Sequence, residues 1–229
     1  MAFETAIASS EKKTIDLVIS CAGLTGKSIF QDEPFLTSDD PEDPQEPPMD
    51  VIDVNLTGAY YTACLTMHYF RHAKVKEDKQ LILFASTIAY RPIPLFSNYS
   101  ASKAGVRALW KSLRESPDLT GMRTNLVAPH IVRTPMTAPL QPILDEQGLK
   151  FAEPEEVLDI VMRFVCDEGI RGRSVAVNAG NAFDLCDSME EGDGSRELGK
   201  VYGKETGPVL EFMAGMLRSG TEPAKSQQS

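Results

Sequence analysis

Ser86-Thr-Ile-Ala-Tyr-Arg-Pro-Ile-Pro-Leu-Phe-Ser-Asn-Tyr99-Ser-Ala-Ser-Lys103 decides how the rest of this 229-residue chain is read. The stretch leaves an apolar run, Gln80 to Ser86, that reads as a strand. It crosses a loop holding Pro92 and Pro94 and enters a helical pattern, Asn98 to Ser116, closed by Pro117. Tyr99 and Lys103 stand four residues apart and so share one helix face, to which the proline-bearing loop can return Ser86. A hydroxyl, a phenol and an ammonium then meet. The Lys charge favours the phenolate and is expected to lower the Tyr99 pKa, so that the phenol exchanges a proton with a substrate oxygen held by the Ser86 hydroxyl. In the plainer reading Tyr99 packs on the sheet, Lys103 is solvated and Ser86 merely ends a strand. A Tyr-x-x-x-Lys pair alone does not exclude it.

Outward from this stretch the chain alternates strands and helices. Thr14 to Ser20 is nearly continuously apolar, as parallel strands are, and runs into Cys21-Ala22-Gly23. An acidic, proline-rich loop follows over 31–49. Asp50 to Ala73 has helical spacing and carries Asn55 near its first turns. Met122 to Ala128 reads as a strand, Glu153-Pro154 opens a helix reaching about Asp167, and Ser174 to Asn178 reads as the last strand. The alternation predicts an α/β fold on a parallel sheet with right-handed crossovers. One domain is expected over 1–185, with a helical extension over 186–218 and a disordered tail over 219–229.

A hydrophobic content of 42% suits a sizeable core, and a net charge of −10 repels nucleic acid and anionic membrane surfaces alike. With no leader-like N-terminus and no run long enough to span a bilayer, the expected compartment is the cytoplasm. Cys21, Cys64, Cys166 and Cys186 have neither zinc nor redox spacing and read as reduced, mostly buried thiols. His68 and His72 share a helix face, but without a third ligand no metal site is assigned. Gly23-Leu-Thr-Gly26-Lys27-Ser28 has the look of a P-loop end, yet its first Gly falls on Cys21 and Pro34 blocks the following helix.

Ser86 lying thirteen residues before Tyr99, at a strand end, resembles the short-chain dehydrogenase/reductase family. Cys21-Ala22-Gly23, Asn55-Leu56-Thr57-Gly58 and Pro129-His130-Ile131-Val132-Arg133-Thr134 resemble further motifs of that family, nearest to fungal members acting on polyketide-type alcohols. The resemblance covers Thr14 to Phe183. It implies a partial Rossmann-type, doubly wound parallel sheet lacking the first βαβαβ segment, with the chain starting at the helix before the family's fourth strand. The edge at Ile15 to Ser20 then calls for cover by a homodimer mate or a partner chain, unless a longer gene product supplies it.

By the same resemblance Ser86, Tyr99, Lys103 and Asn55 are the catalytic set, Asn55 holding a water in a proton relay. Ser20, Cys21, Ala22, Gly23, Asn55, Tyr99, Lys103, Val132 and Thr134 border an NADP or NAD cofactor, and the partner is a small-molecule substrate. Cys21 replaces the family's Asn, and His130 its usual Gly, which makes His130 a second acid/base candidate. The implied function is an oxidoreductase acting on a ketone or secondary alcohol in fungal secondary metabolism. The alternatives are a cofactor-independent isomerase, dehydratase or cyclase on the same residues, and a non-catalytic assembly subunit.

Overall fold

Four apolar runs form parallel strands: β1 (Leu17–Ser20), β2 (Gln80–Phe84), β3 (Arg123–Pro129) and β4 (Ser174–Asn178). The computed structural model describes residues 2–25, 46–73, 78–93 and 96–187. The strands lie side by side in the order of the chain. β2 and β3 are buried almost throughout, because helices cover both of their faces. Alternate residues serve the two layers. Leu81, Leu83 and Leu126 pack with Ala63, Phe70, Val106 and Trp110 on one face, while Ile82, Val127 and Val177 pack with Val157, Ile160 and Phe164 on the other. The expected doubly wound α/β arrangement is present.

The helices are α1 (Ala2–Ser9), α2 (Asp50–Ile52), α3 (Gly58–Arg71), α4 (Ser97–Arg114), α5 (Pro117–Thr120), α6 (Gln141–Glu146) and α7 (Pro154–Cys166). A π-helical turn, Asp53–Thr57, joins α2 to α3. The start of α7 is fixed by a reciprocal cap, in which the Glu156 carboxylate accepts the Glu153 backbone N–H at 2.6 Å and Pro154 opens the first turn. Its end is held by the buried Arg123. That guanidinium donates to the carbonyls of Phe164 at 2.6 Å and of Asp167 and Ile170 at 3.3 Å, while pairing with Asp78 at 2.7 Å.

Ser174–Asn178 is not the last strand. β5 (Asn181–Asp184) turns back antiparallel onto β4 through the two-residue loop Ala179-Gly180, where Gly180 adopts φ +72°. All four β5 residues are exposed, so no apolar run marks it in the sequence. The thiols also differ from expectation: Cys21, Cys166 and Cys186 are exposed and Cys64 is half-buried, since the first three sit where elements end. At the opposite edge β1 has no strand partner on its outer side among the described residues, and Ile19 is 39% exposed there. Lys79 pins the approach to β1 through Asp16, Thr14 and the Ile15 carbonyl.

Met1–Leu185 forms one unit and Cys186–Ser229 another, of which only Cys186 and Asp187 are described. The acidic loop over 31–45, Gly26 to Ser28, the expected helical extension from 188 to 218 and the tail lie outside the described residues. No described helix is long and apolar enough to cross a membrane.

Candidate active site

Parallel strands deliver their carboxyl ends to one edge of the sheet, where open α/β folds gather ligands. Ser20 to Gly23 leave β1 at this edge, Ser86 leaves β2, and His130 to Thr134 leave β3. Ser86 caps a 3-10 turn, Thr87–Ala89, so its hydroxyl accepts the Ile88 N–H at 3.3 Å and donates to the Pro129 carbonyl at 3.2 Å. The Tyr99 phenol, in the first turn of α4, comes close enough to the same hydroxyl for Ser86 to favour its ionised form. One turn further on, the Lys103 ammonium lies 5.7 Å from the centre of the Tyr99 ring and donates to the Phe84 carbonyl at 3.0 Å. Ser86, Tyr99 and Lys103 thus stand together at this edge.

Their electrostatics depart from that reading. Burial raises the Tyr99 pKa above the ordinary phenol value, and the nearby Ser86 hydroxyl offsets it only in part. Lys103, 5% exposed, is lowered to about 8, chiefly by burial and with opposition from Cys21 nearby. Burial therefore sets the direction at the phenol, which lies above its ordinary pKa rather than below it. The sequence shows the i, i+4 spacing but not how deep the pair sits.

Asn55 is 1% exposed in the π turn. Its amide accepts the Leu24 N–H at 2.7 Å, donates to the Leu24 carbonyl at 2.8 Å, and reaches the Ser102 hydroxyl at 3.0 Å. Ser102 in turn donates to the Tyr99 carbonyl at 2.8 Å. Asn55 thus clamps the segment after β1 against α4, and these contacts run to Leu24 and Ser102 rather than to the phenol. At Gly23 a Cβ atom would lie 3.2 Å from the Asn55 Oδ1 and 3.4 Å from the Lys103 Nζ. Only glycine leaves that strip of backbone open beside the ammonium. Cys21 and Ala22 are exposed at the same rim, and Ser20 ends β1 opposite Leu83.

Val132 bridges to Ala152, and the Thr134 N–H donates to the Thr137 hydroxyl at 3.0 Å, so both lie in a braced loop after β3, with hydrogen bonds running away from Tyr99. His130 donates its backbone N–H to Val177 at 2.8 Å and sets Nδ1 at 2.9 Å from the Thr87 hydroxyl. Partial desolvation lowers its pKa, which leaves the imidazole neutral at pH 7. Thr87, Ser102 and Thr137 complete the site unannounced by the sequence motifs. Only Ser102, three residues after Tyr99 on the helix, carried a spacing signal. His72 turns its Nδ1 to the His68 carbonyl at 2.7 Å.

A profile described as short chain dehydrogenase matches residues 2–144. The chain is 34% identical over 208 residues to 5'-hydroxyaverantin dehydrogenase of Dothistroma septosporum, covering 83% of this chain and 67% of that protein. It is 33% identical over 214 residues to 5'-hydroxyaverantin dehydrogenase of Emericella nidulans, covering 86% and 70%. An NADP-dependent dehydrogenase of Phoma is 33% identical, over 77% of this chain and 58% of its own length. Among solved structures, 4-hydroxyisoleucine dehydrogenase complexed with NADH and succinate superposes with a TM-score of 0.57 at 23% identity, over 74% of this chain and 69% of that one.

The open backbone at Gly23, the Lys103 ammonium and the Tyr99 phenol suit the ribose and nicotinamide end of a dinucleotide, offering close approach and hydroxyl-binding donors together. With this sheet, this edge and these relatives, the chain belongs to the short-chain dehydrogenase family of nicotinamide-dependent oxidoreductases.

Proposed function

We propose that the chain interconverts a ketone and a secondary alcohol through Ser86, Tyr99 and Lys103, within fungal secondary metabolism and in the cytoplasm. The observation that carries this reading is the convergence of the Ser86 hydroxyl, the Tyr99 phenol and the buried Lys103 ammonium at the carboxyl edge of the sheet. With its pKa above the ordinary phenol value Tyr99 is protonated at neutral pH and available to donate to a developing alkoxide. The Ser86 hydroxyl, released from Pro129, holds the carbonyl oxygen. Lys103 stabilises the phenolate left behind. A bound nicotinamide supplies the hydride to the carbonyl carbon, so hydride and Tyr99 proton together account for the alcohol formed.

Two 5'-hydroxyaverantin dehydrogenases among the relatives support a hydroxylated secondary metabolite as substrate class, and the NADP-dependent relative favours NADP over NAD. Cys21, Cys64 and Cys166, which form no disulfide, suit a reducing compartment.

Calorimetric titration with NADPH and with NADH, alongside Lys103→Ala, tests the cofactor. Micromolar binding of NADPH that the variant loses is expected, and no binding to the folded chain overturns it. Turnover of benzil, an activated aromatic diketone, tests the acid: Tyr99→Phe is expected to lower kcat by about 10²- to 10⁴-fold. Unchanged turnover in that variant sinks the reading.

A further inference from the structure

The turn that carries Ser86 is held at both ends. At its far end the Ala89 carbonyl accepts from Arg107 at 3.4 Å, Arg107 stacks 4.0 Å from the centre of the Tyr90 ring, and the Tyr90 hydroxyl meets that of Ser174 at 2.6 Å. At the near end two side-chain bonds tie the turn to the end of β3: Ser86 to the Pro129 carbonyl at 3.2 Å, and Thr87 to His130 at 2.9 Å. The first tie cannot survive catalysis. A serine hydroxyl has one proton to donate, so Ser86 gives up Pro129 when it takes a substrate oxygen. The second tie uses atoms the reaction does not need, and the His130 backbone is itself fixed to β4 through Val177 at 2.8 Å.

We propose that His130 is a positioning residue. It holds Thr87, and with it the Ser86 turn, on the end of β3 while the Ser86 hydroxyl exchanges Pro129 for the substrate. This inference rests on the acid/base reading of Ser86, Tyr99 and Lys103. It also gives the imidazole a task other than proton transfer, as a neutral ring engaged at Nδ1.

The test uses the full chain with NADPH and benzil, in Thr87→Val, His130→Gly, His130→Gln and the double variant Thr87→Val/His130→Gly, with Tyr99→Phe alongside. Loss of one orienting hydrogen bond is expected to lower kcat about five- to tenfold in Thr87→Val and in His130→Gly, while the KM for benzil moves by less than about twofold. The double variant should be no slower than either single, because both remove the same bond. His130→Gln, whose amide can still meet Thr87, should recover most of the rate. Independently of turnover, the ring-nitrogen resonances of His130 should shift in Thr87→Val. Nearly isosteric Thr87→Val carries the test if His130→Gly fails to fold.

Additive losses, unchanged kcat, no recovery with Gln or an unmoved His130 resonance each overturn the proposal. If Tyr99→Phe keeps full turnover, the acid/base reading fails first and the role of His130 falls with it. If Tyr99→Phe is inactive and the His130 variants are not impaired, only the present inference fails.

Discussion

Lys103 is a cation kept where water is scarce, and its charge has a pH signature. Its pKa is about 8 in the fold, against about 10.4 in an unfolded chain. Between these values the unfolded state binds more protons, so the contribution of this residue to stability rises with pH across that window and is least favourable below about 8. Lys103→Met removes the titrating group. Urea unfolding at several pH values should therefore show the wild type gaining on the variant as pH climbs from about 8 to about 10.4, and a constant difference would contradict the assignment. The cluster itself was legible because helix geometry fixes what i and i+4 share. The direction of the Tyr99 pKa was not, because desolvation depends on β2, β3 and α4 closing around the pair, and no local spacing records that.

The π turn between α2 and α3 was equally hidden, since Asp53 to Thr57 reads as ordinary helix. The surplus residue answers to tertiary fit. Leu56, next to Asn55, lies against α4 so closely that a Cβ atom on Gly105 would come within 2.7 Å of its Cδ2. Gly105→Ala sets an overpacking cost of about 1–3 kcal/mol against about 0.8–1.0 kcal/mol of helix propensity. A net loss of up to about 2 kcal/mol is expected in denaturant unfolding. In a Leu56→Ala background the clash is gone and the same substitution should stabilise, by up to about 1 kcal/mol. Additivity of the two changes would mean that the helices do not meet as described. The main strands and long helices, by contrast, were legible within two residues at their ends, apart from β1, which starts three residues later than expected, because Leu81 to Leu83 and Val157 to Phe164 write their burial into the apolar pattern. β5 has no such pattern, and its pairing comes from the Gly180 turn.

Across the whole unit, Arg123 ties three places together: Asp78 ahead of β2, β3 itself and the carbonyl end of α7. Its side chain is 2% exposed, so Arg123→Met strands both a carboxylate and a set of helix-end carbonyls. Loss of about 3–5 kcal/mol is expected, with kcat per folded molecule unchanged because the guanidinium lies at the amino end of the strands, away from Ser86 and Tyr99. A melting temperature equal to wild type would refute it. The strand order has a different consequence. Each strand pairs with the one made just before it, so the sheet can grow by simple addition as the chain is synthesised, without waiting for a distant segment. Asn55, Ser86, Tyr99, Lys103 and His130 all precede β4. A nascent chain extended only through β3 therefore already contains Ser86, Tyr99 and Lys103, the whole of the proposed proton-transfer set, and β4, β5 and α7 arrive afterwards as the far wall against which it is made rigid.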